Sequence, residues 1–347
     1  MKALIEKIRS GLDLTHSDVS YAATLLLSEQ FDDALKAEFL TALHQKGETA
    51  DEIAAFVDVF MERAIDPAIK PEELGGPILD VCGTGGDGLN FFNVSTTIMF
   101  ILAAGGAVVV KHGNRSVTSL CGSADVLEQL GVPLHLGPEE LRECVQRHGV
   151  AFIFARQYHP AFSAIAEMRS RLAQQKTRTI FNLLGPLLNP ARPQRQLIGV
   201  FAPQLTNTFA DVLRRFGRHR AWVVHGLAEG TNGMDDVSVC GATTMAEIDA
   251  GKVTTALLDT QWLGVPRCKV SELSGGNAVE NAGTLEGILS GKITGPKREM
   301  AVVNAAAGFV IAELARDLGQ GIALAREQID NGAALAKLRT LQNYRNK

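Results

Sequence analysis

"ILDVCGTGGDGLNFFNVST", residues 78–96, sets a short apolar run against a loop of four glycines and then a helix start, and this order decides the fold class. "ILDVC" reads as a buried strand, and "NVST" opens a helix running from about Ser95 to Ala104. The glycines between them permit positive φ and let backbone N–H groups approach an anion with no side chain in the way. The free N–H groups and positive dipole end of the helix face the same space, so strand, loop and helix together predict a phosphate or pyrophosphate cradle. The helix start carries no Gly-Lys-Ser/Thr, which argues against a P-loop.

The same alternation continues downstream. "AVVVKH", a helix from about Ser123 to Leu130, "VAFIFA", "LIGVFA" and "AWVVHG" predict a largely parallel central sheet with right-handed crossovers and flanking helices, an α/β fold. Upstream, residues 1 to about 66 read as helices only, with Ser17, Asp32 and Thr49 as caps and Gly47 as a stop. "IDPAIKPEELGGP", residues 65–77, reads as a linker. The predicted division is a small all-helical domain over 1–70, joined by the Arg- and Gln-rich helices of about 160–190, and a larger α/β domain over 71–347. From "NAAAGFVIAELARDL" onward, two more helices are expected to cover the sheet.

Bulk properties narrow the function. A net charge of −4 gives no general attraction to nucleic acid or anionic membrane, so both are unlikely partners. The five cysteines, at 82, 121, 144, 240 and 268, form no CxxC pair and read as free thiols of a reducing cytoplasm. No signal peptide is visible, and no stretch reaches the roughly 18 uninterrupted apolar residues of a membrane span.

Two further motifs carry chemistry. In "KHGNRSVTS", residues 111–119, Lys111 and Arg115 with Asn114, Ser116, Thr118, Ser119 and the nearby Ser123 would surround a polyanion if this strand end neighbours the glycine loop. In "GMDDVSV", residues 233–239, Asp235 and Asp236 act together only if they sit in a loop before a strand. Mg²⁺ commonly takes one or two protein carboxylates and completes its shell with water and phosphate, so beside a pyrophosphate cradle the acidic pair predicts magnesium. Cys82 reads as a packing thiol and His159 as a hydrogen-bonding or packing residue, neither with a catalytic part.

Together these motifs resemble those of the anthranilate phosphoribosyltransferases, which join anthranilate to phosphoribosyl pyrophosphate in tryptophan biosynthesis. The likeness runs over nearly the whole chain: "FLTALHQKGETADEIAAF", the glycine loop, "KHGNRSVTSLCGSADVLEQLG", "YHPAF", "RTIFNLLGPLLNP", "LIGV" and "GMDDVS" follow in the expected order. The resemblance implies a cytoplasmic homodimer joined through the helical domain, with two Mg²⁺ ions per subunit and the substrates between the domains. It implies that Gly83, Gly86, Asp87, Asn93, Ser95, Thr96, Lys111, Asn114, Ser119 and Ser123 hold phosphoribosyl pyrophosphate. Gly83, His112, Asn114 and Arg169 would line the anthranilate path, and Ser95, Asp235 and Asp236 would bind the metal. No covalent nucleophile is implied: pyrophosphate departs from C1 of the ribose while a positioned amine attacks, which is electrostatic and geometric work.

Four features depart from the family pattern. Phe91 stands where a Ser or Thr is usual, Asp236 replaces a Glu, and Arg156 replaces a proline. "RLAQQKTRT" is about three residues longer than usual, so counting from one side selects Arg169 for the substrate carboxylate and from the other leaves Arg171 open. The alternative expectation is a paralogue of the same fold that binds nucleic acid or another anion without catalysis; a nucleoside phosphorylase of this fold fits "KHGNRS" and "GMDD" less well.

Overall fold

A computed structural model of the chain describes residues 1–116, 120–231 and 233–344. Seven strands, β1 (Ile78–Gly83), β2 (Val108–Gly113), β3 (Val150–Phe154), β4 (Arg195–Gly199), β5 (Arg220–Gly226), β6 (Thr243–Asp249) and β7 (Lys252–Leu258), form one sheet in the order β3-β2-β1-β4-β5-β6-β7. The first five in that order are parallel. β6 and β7 are antiparallel and were not expected from the sequence. Successive residues of β5 alternate between the two faces: Ala221 and Val223 join one apolar core, Trp222 and Val224 the other.

The chain leaves β1 toward β2 and β3 on one side and returns to β4 on the other. Strand order therefore reverses between β1 and β4, and a crevice opens outside the C-terminal ends of those two strands. The expected "NVST" helix, Val94–Ala104, follows the glycine loop at that point.

One core unites the N-terminal helices Lys2–Arg9, His16–Leu26, Asp33–Lys46 and Ala50–Met61 with Met168, Leu172, Phe181 and Leu184 from the 160–190 segment. That segment does fold back onto the helical region, and the joint core continues to the sheet through Phe209 and Leu213 of helix Leu205–Arg215. The opposite face is covered by Ala278–Leu289 and by three, not two, C-terminal helices: Pro296–Ile311, Leu318–Asp330 and Ala333–Gln342. "NAAAGFVI" lies inside the first of these, which ends before Glu313, a residue at φ 59.

Asp32, Thr49 and Gly47 cap as expected. Ser17 does not: the cap of its helix is Thr15, whose hydroxyl accepts from Asp18 N while Asp18 Oδ2 accepts from Thr15 N at 2.9 Å. Lys7 Nζ donates to the same Oδ2 at 2.7 Å, and this bond, with those from Thr15, draws the Asp18 carboxyl down to about 2. A lowered folded-state value gives stability that is present above the unfolded value and lost as pH falls toward the folded one. Asp18→Asn is therefore expected to lower the thermal midpoint at neutral pH, and the gap to the parent should close between about pH 4 and pH 2, followed by circular dichroism. A gap independent of pH would remove the Asp18 charge from the account.

Candidate active site

At the switch point, Gly83 of β1 and Gly199 of β4 are direct partners in neighbouring strands. Their lack of side chains decides what lies above them. A Cβ at Gly83 would collide with the Asp235 carboxylate, and one at Gly199 with the Asp235 backbone carbonyl. The acidic loop thus lies across the paired glycines, and Asp235 Oδ2 accepts from Gly85 N in the cradle at 2.7 Å.

Ser95, at the start of helix Val94–Ala104, lines the same small cavity as Asp235 and Asp236. Its volume is about 10 Å³, room for about one water. Loss of hydration, then the charge of Asp87, pushes Asp235 up to about 7 against the pull of the Gly85 N–H. Loss of hydration, then Asp235 and Asp87, pushes Asp236 well up, with Lys111 opposing. Two crowded carboxylates and a hydroxyl are hard oxygen donors, and their raised proton affinity marks negative charge that a divalent cation would relieve. Among the described residues no three His, Cys, Asp or Glu side chains form a ready cage, so the rest of such an ion's shell would come from water and phosphate.

Lys111 is buried beneath the cradle: Nζ donates to Val81 O at 2.5 Å and to Ser95 Oγ at 3.1 Å, and desolvation lowers its pKa. Arg115 does not join it. Its guanidinium pairs with Asp125 at 3.1 Å and Glu128 at 2.7 Å, because Asp125 also accepts from Ser116 N and Gly122 N and folds the turn over helix Ser123–Gln129. Ser123 opens that helix, and Asn114 Oδ1 accepts from Arg115 N at 2.8 Å. Ser119, with Thr118, lies outside the described residues. Asp87 Oδ1 accepts from Leu89 N at 3.1 Å, and exposed Gly86 holds φ 79.

Asn93 does not cap its helix: Nδ2 donates to Cys121 O at 3.2 Å and Oδ1 accepts from Asn281 at 2.9 Å. Thr96 is fully buried and its Oγ1 has no partner among the described residues, nor has Nε2 of His112. Desolvation, then His159, takes the His112 pKa down to about 3, so its imidazole stays neutral. His159 Nε2 lies 2.7 Å from Leu188 O and its ring stacks on Phe162, the hydrogen-bonding and packing role expected of it.

Arg169 and Arg171 differ plainly. Arg171 pairs with Asp33 at 2.8 Å. Arg169 lies over the Phe181 ring at 4.7 Å, has no ion pair or hydrogen bond among the described residues, and desolvation lowers its pKa to about 10. Arg156 is exposed. Two contributors escaped sequence reasoning. Gly199 is a single glycine in an apolar run, and Arg178 donates to Gly86 O at 2.8 Å while stacking on Phe201 at 4.1 Å, a role that "RTIFN" alone does not signal.

Phe92 is 2% exposed and packs beneath the loop. Phe91 is half-buried, packs against the same core and forms a bridge with Ser274, while Gly275 N donates to Asn90 O at 2.8 Å. Restoring the family hydroxyl, Phe91→Ser, is expected to tighten phosphoribosyl pyrophosphate binding several-fold, about 1 kcal/mol, while lowering the thermal midpoint through lost ring packing. Unchanged affinity by titration calorimetry would show that position 91 does not meet the substrate.

The α/β sheet with the glycine and acidic loops at its switch point, and the helical bundle beside it, are by family those of a glycosyl transferase. Residues 75–335 match the model for the glycosyl transferase family a/b domain, and residues 2–64 match its helical bundle domain. The chain belongs to this family, among the anthranilate phosphoribosyltransferases. It is 42% identical to the anthranilate phosphoribosyltransferase of Moorella thermoacetica over 98% of this chain and 97% of that one. It is 43% identical to that of Haloferax volcanii over 97% and 98%. The crystal structure of the Thermus thermophilus enzyme superposes with a TM-score of 0.88 at 36% identity, covering 99% of both chains. The Saccharomyces cerevisiae enzyme in complex with phosphoribosyl pyrophosphate and Mg superposes with a TM-score of 0.83 at 26% identity, covering 95% of this chain and 92% of that one.

Proposed function

We propose that the chain transfers the phosphoribosyl group of phosphoribosyl pyrophosphate to the amine of anthranilate, releasing pyrophosphate, as a pentosyltransferase of tryptophan biosynthesis. The observation that carries this reading is the convergence of Ser95, Asp235 and Asp236 on one cavity, with Asp235 also accepting from Gly85 N of the glycine loop. On this reading the backbone of Gly83 and Gly86 and the side chains of Asp87, Asn93, Ser95, Thr96, Lys111, Asn114, Ser119 and Ser123 bind the donor. Lys111 places a cation under the diphosphate, and the neutral His112 offers the acceptor its Nε2, which has no partner among the described residues.

Ser95, Asp235 and Asp236 would hold magnesium, two ions per subunit, supplying charge neutralisation to the departing pyrophosphate. Asn114 and Arg169 orient the acceptor, Arg169 through its carboxylate, so that the amine faces C1 of the ribose. No residue forms a bond to the sugar. The helical unit comprises residues 1–70 with the helices of about 160–190, the α/β unit residues 71–347, and two copies join through the helical unit in the cytoplasm. No helix among the described residues is long and apolar enough to cross a membrane.

The test is incubation with phosphoribosyl pyrophosphate, Mg²⁺ and anthranilate, following loss of anthranilate fluorescence. Donor binding without turnover would sink the anthranilate assignment and direct the search to other aromatic acids.

A further inference from the structure

The acidic loop is held at both ends by backbone pairing, and only one of those partners is a strand. On the N-terminal side, Met234 exchanges hydrogen bonds with Gly226 at the end of β5, N to O at 2.8 Å and O to N at 3.0 Å. On the C-terminal side, Val237 makes the same reciprocal pair with a side chain. Asn304 Oδ1 accepts from Val237 N at 2.9 Å, and Asn304 Nδ2 donates to Val237 O at 2.9 Å. The second Nδ2 hydrogen goes to Met300 O, also at 2.9 Å, one turn back in helix Pro296–Ile311. Asn304 is 1% exposed, and it forms part of the wall of the cavity shared by Ser95, Asp235 and Asp236.

We infer that Asn304 is a positioning residue for the metal-binding loop. Its primary amide mimics a neighbouring strand, anchors Val237 and so fixes the peptide that carries Asp236. The inference rests on Asp235 and Asp236 being the metal-binding pair. The two residues sit between two fixed points, Met234 and Val237. Removing the second anchor frees Asp236 at the place where its side chain, one methylene shorter than the usual Glu, has least reach to spare. The helix contributes a rigid base: it is buried along nearly its whole length from Met300 to Ile311, so the amide has no room to follow a moving loop. A side chain of any other shape would leave Val237 N and O buried and unpaired.

The experiment compares the full chain with Asn304→Ser, Asn304→Leu and Val303→Ala. The last removes two methyl groups from the same buried helix and no hydrogen bond. Mn²⁺ is titrated into each protein with phosphoribosyl pyrophosphate present, and binding is read as loss of the free-ion electron paramagnetic resonance signal beyond that of a protein-free control holding the same phosphoribosyl pyrophosphate. Mg²⁺ activation of turnover and the thermal midpoint are measured alongside. Both Asn304 variants are expected to weaken Mn²⁺ binding at least ten-fold, in the range seen when groups supporting a metal ligand are removed, and to raise half-saturating Mg²⁺ in parallel. Turnover at saturating metal should recover to within a few-fold of the parent, while Val303→Ala lowers the midpoint without moving metal affinity. Should one Asn304 variant not fold, the other decides. Parental Mn²⁺ affinity in a folded Asn304 variant, or a shift no larger than that of Val303→Ala, overturns the inference alone. Absence of Mn²⁺ uptake by the parent protein itself overturns the metal reading of Asp235 and Asp236, and this inference with it.

Discussion

Asp235→Asn is expected to cut turnover by roughly 10²–10³-fold, the scale of removing one preorganised electrostatic element from a transition state, while raising the thermal midpoint of the metal-free protein. Both effects have one origin. Lost hydration, then the charge of Asp87, pushes the pKa of this carboxylate up to about 7, so its charge is held at a cost to the fold. Asparagine keeps an oxygen for the Gly85 N–H and the loop position over Gly83 and Gly199, but gives up the charge. Activity and stability then move in opposite directions. Steady-state rates at saturating Mg²⁺ and differential scanning calorimetry check the pair; an unaltered rate removes Asp235 from the mechanism, and a lower midpoint removes the repulsion argument.

Arg169→Gln is expected to raise KM for anthranilate by about 10–100-fold, the loss of about 1.5–3 kcal/mol for a hydrogen bond to a charged group, with KM for phosphoribosyl pyrophosphate unchanged. Arg171→Gln should leave both values alone, because its guanidinium is already spent on Asp33. An Arg side chain that is desolvated, stacked on Phe181 and without an anion among the described residues is suited by chemistry to a carboxylate, which is the reading these two variants test. If the Arg171 variant instead loses anthranilate affinity, the two arginines exchange roles.

The parts of the fold legible in the sequence are those with local signatures. The glycine loop between an apolar run and "NVST" announced strand, loop and helix, because each of those residue types has a backbone reason to be there. β6 and β7 escaped: "TTMAEID" and "KVTTALL" alternate weakly, and β7 is largely exposed, so burial left little pattern to read. Arg115 looked like a ligand cation because its partners, Asp125 and Glu128, lie one helix further on. The Ser17 cap failed because a threonine two residues earlier had an aspartate at the right spacing to complete a capping box. Gly199 and Asn304 were invisible for a different reason: their meaning arises only when β4 lies beside β1 and helix Pro296–Ile311 lies against the acidic loop.

The paired glycines at the ends of β1 and β4 bear on which mutations this site can survive. The surface under Asp235 is bare main chain, so side-chain drift reaches the acidic loop through its Asn304 anchor and not through that surface. A methyl group at Gly83 meets the Asp235 carboxylate, which must turn away; one at Gly199 meets the Asp235 main chain, and there no change in a neighbouring side chain can make room.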